Sequence, residues 1–197
     1  MPYQIVQIIY WLALSTWFGG VLFIAIAAPI IFQTVRQANP VLPQVLSVNL
    51  DGQHGTVLAG SIVANLLSRL SILQIVCGGA LLLTSIAQFF LIDLVDRNFI
   101  AAILRTSMIL AALVIASFDR WAIWPRLYRY RQEYLDHADE PEIANPAKEN
   151  FDREHHRSVT LLSAILFLLL GTILFSANIS PGHLSINQPQ SPASHAP

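Results

Sequence analysis

The chain is short of charge and almost free of cysteine. Only 12% of its 197 residues are Asp, Glu, Lys or Arg, against a hydrophobic fraction of 54%. A soluble domain carries about a quarter of its residues as charges to cover its surface, so the composition excludes an ordinary water-soluble fold. The formal net charge of −1 removes the basic surplus that phosphate binding demands, and with it nucleic acid as a partner. One cysteine, Cys77, excludes an intrachain disulfide and a cysteine-based zinc cluster. Also missing are a Gly-rich phosphate loop, a nucleophile elbow and a His-Glu zinc pair. Nothing in the motif inventory points to an enzyme.

What the chain has instead is four long apolar runs: Ile5 to Phe32, Leu70 to Ile92, Phe99 to Trp124 and Val159 to Ala177. Each has at least about the 20 residues that an α-helix needs to cross about 30 Å of hydrocarbon. Mean hydropathy is +0.55. The expected fold is all-α, a four-helix transmembrane bundle over residues 1–177, with helices near 4–35, 57–92, 98–124 and 156–177. A hydrophilic loop is expected at 125–155 and a disordered tail at 178–197. The first run has no Lys or Arg before it and no charge from Met1 to Val35, which fits a retained helix better than a cleaved signal. Pro29 removes a backbone hydrogen bond there and predicts a bend. Residues 56 to 92 as one helix would measure about 55 Å, too long to stand upright in a bilayer, so the first part belongs at the interface or in water.

Positive charge is distributed unevenly. Nine of the eleven basic residues, Arg36, Arg69, Arg120, Arg126, Arg129, Arg131, Lys148, Arg153 and Arg157, fall in the connections between runs one and two and between runs three and four. Basic residues resist translocation, so segments 36–69 and 120–157 are expected in the cytoplasm and both termini outside it, in a plasma or inner membrane. The Arg-Tyr alternation from Arg126 to Arg131 then reads as an interfacial anchor against anionic lipid.

Several side chains stand out as candidates for packing or chemistry. Ser15 with Gly19 and Thr16 with Gly20 are small residues four apart, and Gly78 with Gly79 forms a second notch; such spacings let another helix approach closely, within the chain or in a homo-oligomer or a complex with another membrane protein. Arg105 lies inside the third run, where charge is costly; its long side chain is expected to reach toward Asp93 or Asp96 at the helix end. Asp119 and Arg120 could cap that helix or join the histidines at the start of the fourth. His54, His155 and His156 are the only candidates for a metal or haem, because imidazole is the commonest transition-metal ligand. Adjacent helical residues point about 100° apart, so His155 and His156 do not both face one ion on a regular helix. The expectation is therefore no cofactor, with haem or copper as the alternative.

Trp17-Phe-Gly-Gly20, the following Val21-Leu-Phe, Ala28-Pro29-Ile-Ile-Phe32, Ala59-Gly60 and Phe151-Asp-Arg-Glu-His155-His156-Arg157-Ser158 together resemble the transmembrane protein 205-like domain family. The resemblance spans roughly Tyr10 to Leu174 and implies a small four-helix membrane protein of unassigned activity, with a histidine and serine pattern falling on His155 or His156 and Ser158. A more distant similarity is to copper-resistance D-type membrane domains and four-helix protoporphyrinogen oxidases, which carry histidines within their helices; this chain has none in its apolar runs. Three functional classes follow: a non-enzymatic membrane protein acting through partner or lipid contacts, a haem- or metal-binding redox protein, and an oligomeric carrier of small solutes lined by Arg105, Asp119 and Arg120.

Overall fold

The computed structural model describes residues 2–40, 54–91 and 99–177. They form α1 (Pro2–Ala38), α2 (His54–Leu91), α3 (Phe99–Phe118), a π-helical turn (Asp119–Ile123), α4 (Trp124–Asp136) and α5 (Pro141–Ala177). Because α3, the π turn and α4 are one continuous rod, the described residues make four long helices, each long and apolar enough to cross a membrane. In hydrocarbon every backbone amide needs a partner within its own segment, and the helix provides that. The helices run alternately up and down. Around the bundle α1 neighbours α2, α2 neighbours α3, α3 neighbours α5, and α5 returns to α1. One end holds the N-terminus of α1 and the C-terminus of α5; the opposite, basic end holds α4.

The outer surface is apolar. Leu83, Phe90, Ile100, Trp121 and Phe167 are all at least two-thirds exposed, a pattern that lipid covers and water does not. The core is built from Tyr10, Leu14, Trp17 and Val21 of α1, Leu81 of α2, Ile109 and Ala112 of α3 and Ile165 and Leu169 of α5. Small residues set the helix spacing. A Cβ built on Gly55 would lie 3.2 Å from the Arg36 Cα, on Gly78 2.7 Å from Leu113 Cδ1, and on Gly171 2.8 Å from Met108 Sδ.

At about 1.5 Å per residue, helices of 37 and 38 residues are roughly 55 Å long, well beyond the hydrocarbon thickness. The surplus lies mostly at the basic end, where residues expected as a loop from 125 to 155 are helical except for a turn at 137–140. Pro141 opens α5 at a first-turn position that needs no amide hydrogen. The Glu140 carbonyl accepts from the amides of Ile143 and Ala144 at 3.0 and 2.9 Å. The Arg, Gln, Glu and Leu content of this stretch suits a helix, and charge alone does not unfold it. The same surplus appears at α2, which begins at His54, ahead of the expected residue 57.

The π turn has a local cause. Pro125 has no amide hydrogen and its ring would collide with the Trp121 carbonyl in a regular helix. One extra residue before it widens the turn, and the Trp124 amide bonds back five residues to the Asp119 carbonyl.

Candidate functional site

Along the apolar run of α2 the inward face is more polar than the outward one. On α2 the buried positions include Ser71, Gln74, Thr84, Ser85 and Gln88, while Ile72, Leu73, Val76, Leu83, Ile86, Phe89 and Phe90 face outward. This inverts the pattern of a soluble helix, as expected where lipid is the solvent and polar groups are driven inward.

Near the termini end, polar side chains from all four helices converge. The Tyr10 hydroxyl on α1 meets Ser176 Oγ on α5 at 2.7 Å. Ser176 Oγ gives its single proton to the Thr172 carbonyl at 2.6 Å, so Tyr10 is the donor in the contact between them. Gln88 Nε2 on α2 donates to Gln7 Oε1 on α1 at 2.9 Å. The guanidinium of Arg105 on α3 lies 4.9 Å from the Tyr10 ring centre. Arg105 is only 5% exposed and Tyr10 is fully enclosed. Arg105 therefore turns into the bundle and stacks on an aromatic face, a cation–π arrangement that is strengthened by desolvation; Asp93 and Asp96 lie outside the described residues.

Deeper in the bundle, three polar atoms are enclosed without a hydrogen-bond partner among the described residues: Trp17 Nε1, Gln74 Nε2 and Ser85 Oγ. Between Gln74 and Ser85 the Trp17 ring and Leu113 press on Gly78, with Leu81 about one turn further along.

The basic end holds a second group of polar contacts. Asp119, on the π turn, is half-buried, with Oδ1 enclosed and without a hydrogen-bond partner among the described residues. Glu154, on α5 and 4% exposed, pairs with Arg157 at 2.6 Å. Arg120 turns to the Trp124 ring, 5.4 Å from its centre. Arg131 crosses from α4 to α2, where Nη2 donates to the Val57 carbonyl at 3.1 Å and to Ser61 Oγ. An open groove of about 780 Å³ between α4 and α5 is lined by Tyr128, Arg129, Glu133, Asp136, His137 and Asn150, among others.

The other residues singled out in the sequence are distributed as follows. Gly20 receives Leu70 and Gly78 receives Trp17, whereas Gly19 and Gly79 have open space where a side chain would be. Ser15, Thr16 and Pro29 face outward on α1. His155 and His156 are exposed on α5, His155 stacked on Phe151, and His54 is half-buried at the start of α2 with Nδ1 enclosed. Among the described residues no three His, Cys, Asp or Glu side chains are grouped to hold a metal ion. Sequence reasoning passed over Tyr10, Gln74, Ser85, Gln88 and Ser176. Their signal was available: Ser71, Gln74, Ser85 and Gln88 recur on one helical face within an apolar run.

Compared with family models, curated proteins and solved structures, the chain finds no match in any of the three.

Proposed function

We propose that this protein is a non-enzymatic membrane platform, in which four spanning helices hold a rigid helical hairpin outside the bilayer for contact with a partner protein or with lipid headgroups. The observation that carries the reading is α4. It leaves the bundle as a continuation of α3, has no buried residue, and pairs with the first part of α5 as a helical projection. One side of α4 rests half-buried against α5 and α2, while Arg126, Tyr128 and Arg129 stay exposed on it, a face chemically suited to acidic headgroups or an acidic protein surface. The reading places the hairpin in the cytoplasm, following the bias of positive charge, and is compatible with a place in the transmembrane protein 205-like family.

The test is site-specific photo-crosslinking in native membranes. A photoreactive residue at Tyr128 should give a discrete adduct, protein or anionic lipid, that a probe at lipid-facing Leu83 does not give. If the two positions give the same products, the hairpin has no dedicated contact and the reading fails. The rival redox reading is tested by the visible spectrum and metal content of purified protein. A Soret band, or near-stoichiometric copper or iron that is lost on His155→Ala and His156→Ala, would replace the platform with a redox protein.

A further inference from the structure

We infer that the groove along α4 is a docking site for a basic segment of another protein, with Glu133 and Asp136 receiving its cations and Arg129 receiving an acidic residue at the membrane-facing end. This rests on the hairpin being a contact platform, and it gives the platform's partner a chemistry.

The groove is open, about 780 Å³ in volume, and lined mainly by polar side chains of α4, with Asn150 contributed by α5. Charge is ordered along it. Arg129 stands nearest the membrane, Glu133 follows one turn further out and Asp136 nearly two, about 6 and 10 Å away at the helical rise.

Among the described residues no Lys or Arg pairs with either carboxylate. Residues four apart on a helix can pair, yet the Arg129 guanidinium lies over the Tyr130 ring, 5.0 Å from its centre. Lys148 of α5 is likewise turned to Tyr134, 5.9 Å from the ring centre, and Arg153 donates to Asn150 Oδ1. From Gln132 to Ala147 the sequence has five carboxylates and no Lys or Arg. The outer part of the hairpin thus carries a field of one sign, which draws a positive partner and speeds its encounter. Arg129 at the membrane end fixes which way round a bound segment lies.

Height above the bilayer decides what the occupant is. Trp124 belongs at the headgroup level, and Glu133 and Asp136 stand nine and twelve residues past it, about 14 and 18 Å. The headgroup layer is about 5 to 7 Å deep on each side, so a lipid reaches Arg129 at most. A second copy fits no better. Copies inserted alike are related by an axis along the membrane normal, so Arg129 would face Arg129 and Glu133 would face Glu133. A different protein fits, one with Lys or Arg where α4 has its carboxylates.

The experiment places a photoreactive residue at Gln132, inside the groove, in the full chain in native membranes. It should give a discrete protein adduct whose crosslinked peptide, read by tandem mass spectrometry, carries Lys or Arg within one helical turn of the crosslink. Glu133→Lys with Asp136→Lys should lower the yield about tenfold or more, because like charges brought face to face repel. Glu142→Lys, outside the groove, should leave the yield within about twofold. If the double reversal does not insert as monodisperse protein, Glu133→Gln with Asp136→Asn takes its place, with an expected loss of about threefold. Salt at about 1 M, where the screening length falls to about 3 Å, should lower the yield as well. Adducts only to lipid or to a second copy, or a yield indifferent to the changes at Glu133 and Asp136, would overturn the groove as a docking site. With a discrete adduct still formed at Tyr128, those outcomes leave the platform standing; products at Tyr128 identical to those at Leu83 would remove both.

Discussion

Individual contacts in the interior carry distinct and measurable weights. Tyr10 donates to Ser176, which is itself occupied with the Thr172 carbonyl. Hydrogen bonds between membrane helices are worth about 0.6 kcal/mol on average and up to about 1.7. Tyr10→Phe and Ser176→Ala should each lower unfolding stability in lipid by an amount in this range, and the double variant should lose little more than either alone. A strictly additive double variant would show that the pair is not coupled. The two adjacent glycines of α2 provide a second comparison. Gly79→Ala meets open space and should stabilise by up to about 1 kcal/mol, the usual helix-propensity difference. Gly78→Ala brings a methyl group against the rigid Trp17 ring and should destabilise by about 1 to 3 kcal/mol through overpacking. Thermal unfolding of the two variants in matched lipid checks the sign of each, and a reversed order would contradict the assigned packing.

At the scale of elements, the rod formed by α3, the π turn and α4 is the informative one. The π turn adds one residue, and that residue sets the rotation of everything after it. Arg131 reaches Val57 and Ser61 only because α4 is rotated as it is. Deleting Ala122 should restore a regular helix and turn α4 by about 100°, taking Arg131 away from α2. Distances between spin labels on Thr56 and Gln132 should then lengthen and broaden, as they should more mildly for Arg131→Ala. An unchanged distribution in the deletion variant would show that α4 is held by other contacts. The sequence discloses this element unevenly. The four apolar runs show the spans plainly, because an unbroken apolar stretch of this length satisfies its backbone in lipid as a helix. The charged stretch from Arg126 to Arg157 reads as loop because its charges and its two prolines, Pro141 and Pro146, dominate it, while the apolar residues it buries, Ala138, Ala144 and Ala147, are small and give a weak hydrophobic signal. The π turn is invisible until Pro125 is considered together with the Trp121 carbonyl four residues earlier. The polar stripe of α2 is legible as the spacing of Ser71, Gln74, Ser85 and Gln88 on one helical face, but its partner Gln7 and the Tyr10–Ser176 contact join residues far apart in the chain, and only the fold brings those together.

At the scale of the whole molecule, the long helices, the apolar exterior and the polar side chains turned inward from α2, α3 and α5 describe an object that bilayer solvation makes stable. The outward leucines, isoleucines and phenylalanines would cause association in water, and the inward glutamines and arginine would weaken a soluble core. Hydrogen–deuterium exchange of the protein in nanodiscs tests this most directly. The account predicts four strongly protected stretches, within residues 5–32, 70–91, 99–124 and 159–177, with faster exchange through residues 125–155 although they are helical, because water reaches the amides of a helix that stands outside the bilayer and can fray. Fewer than four protected stretches, or protection through 125–155 as strong as in the apolar runs, would contradict it.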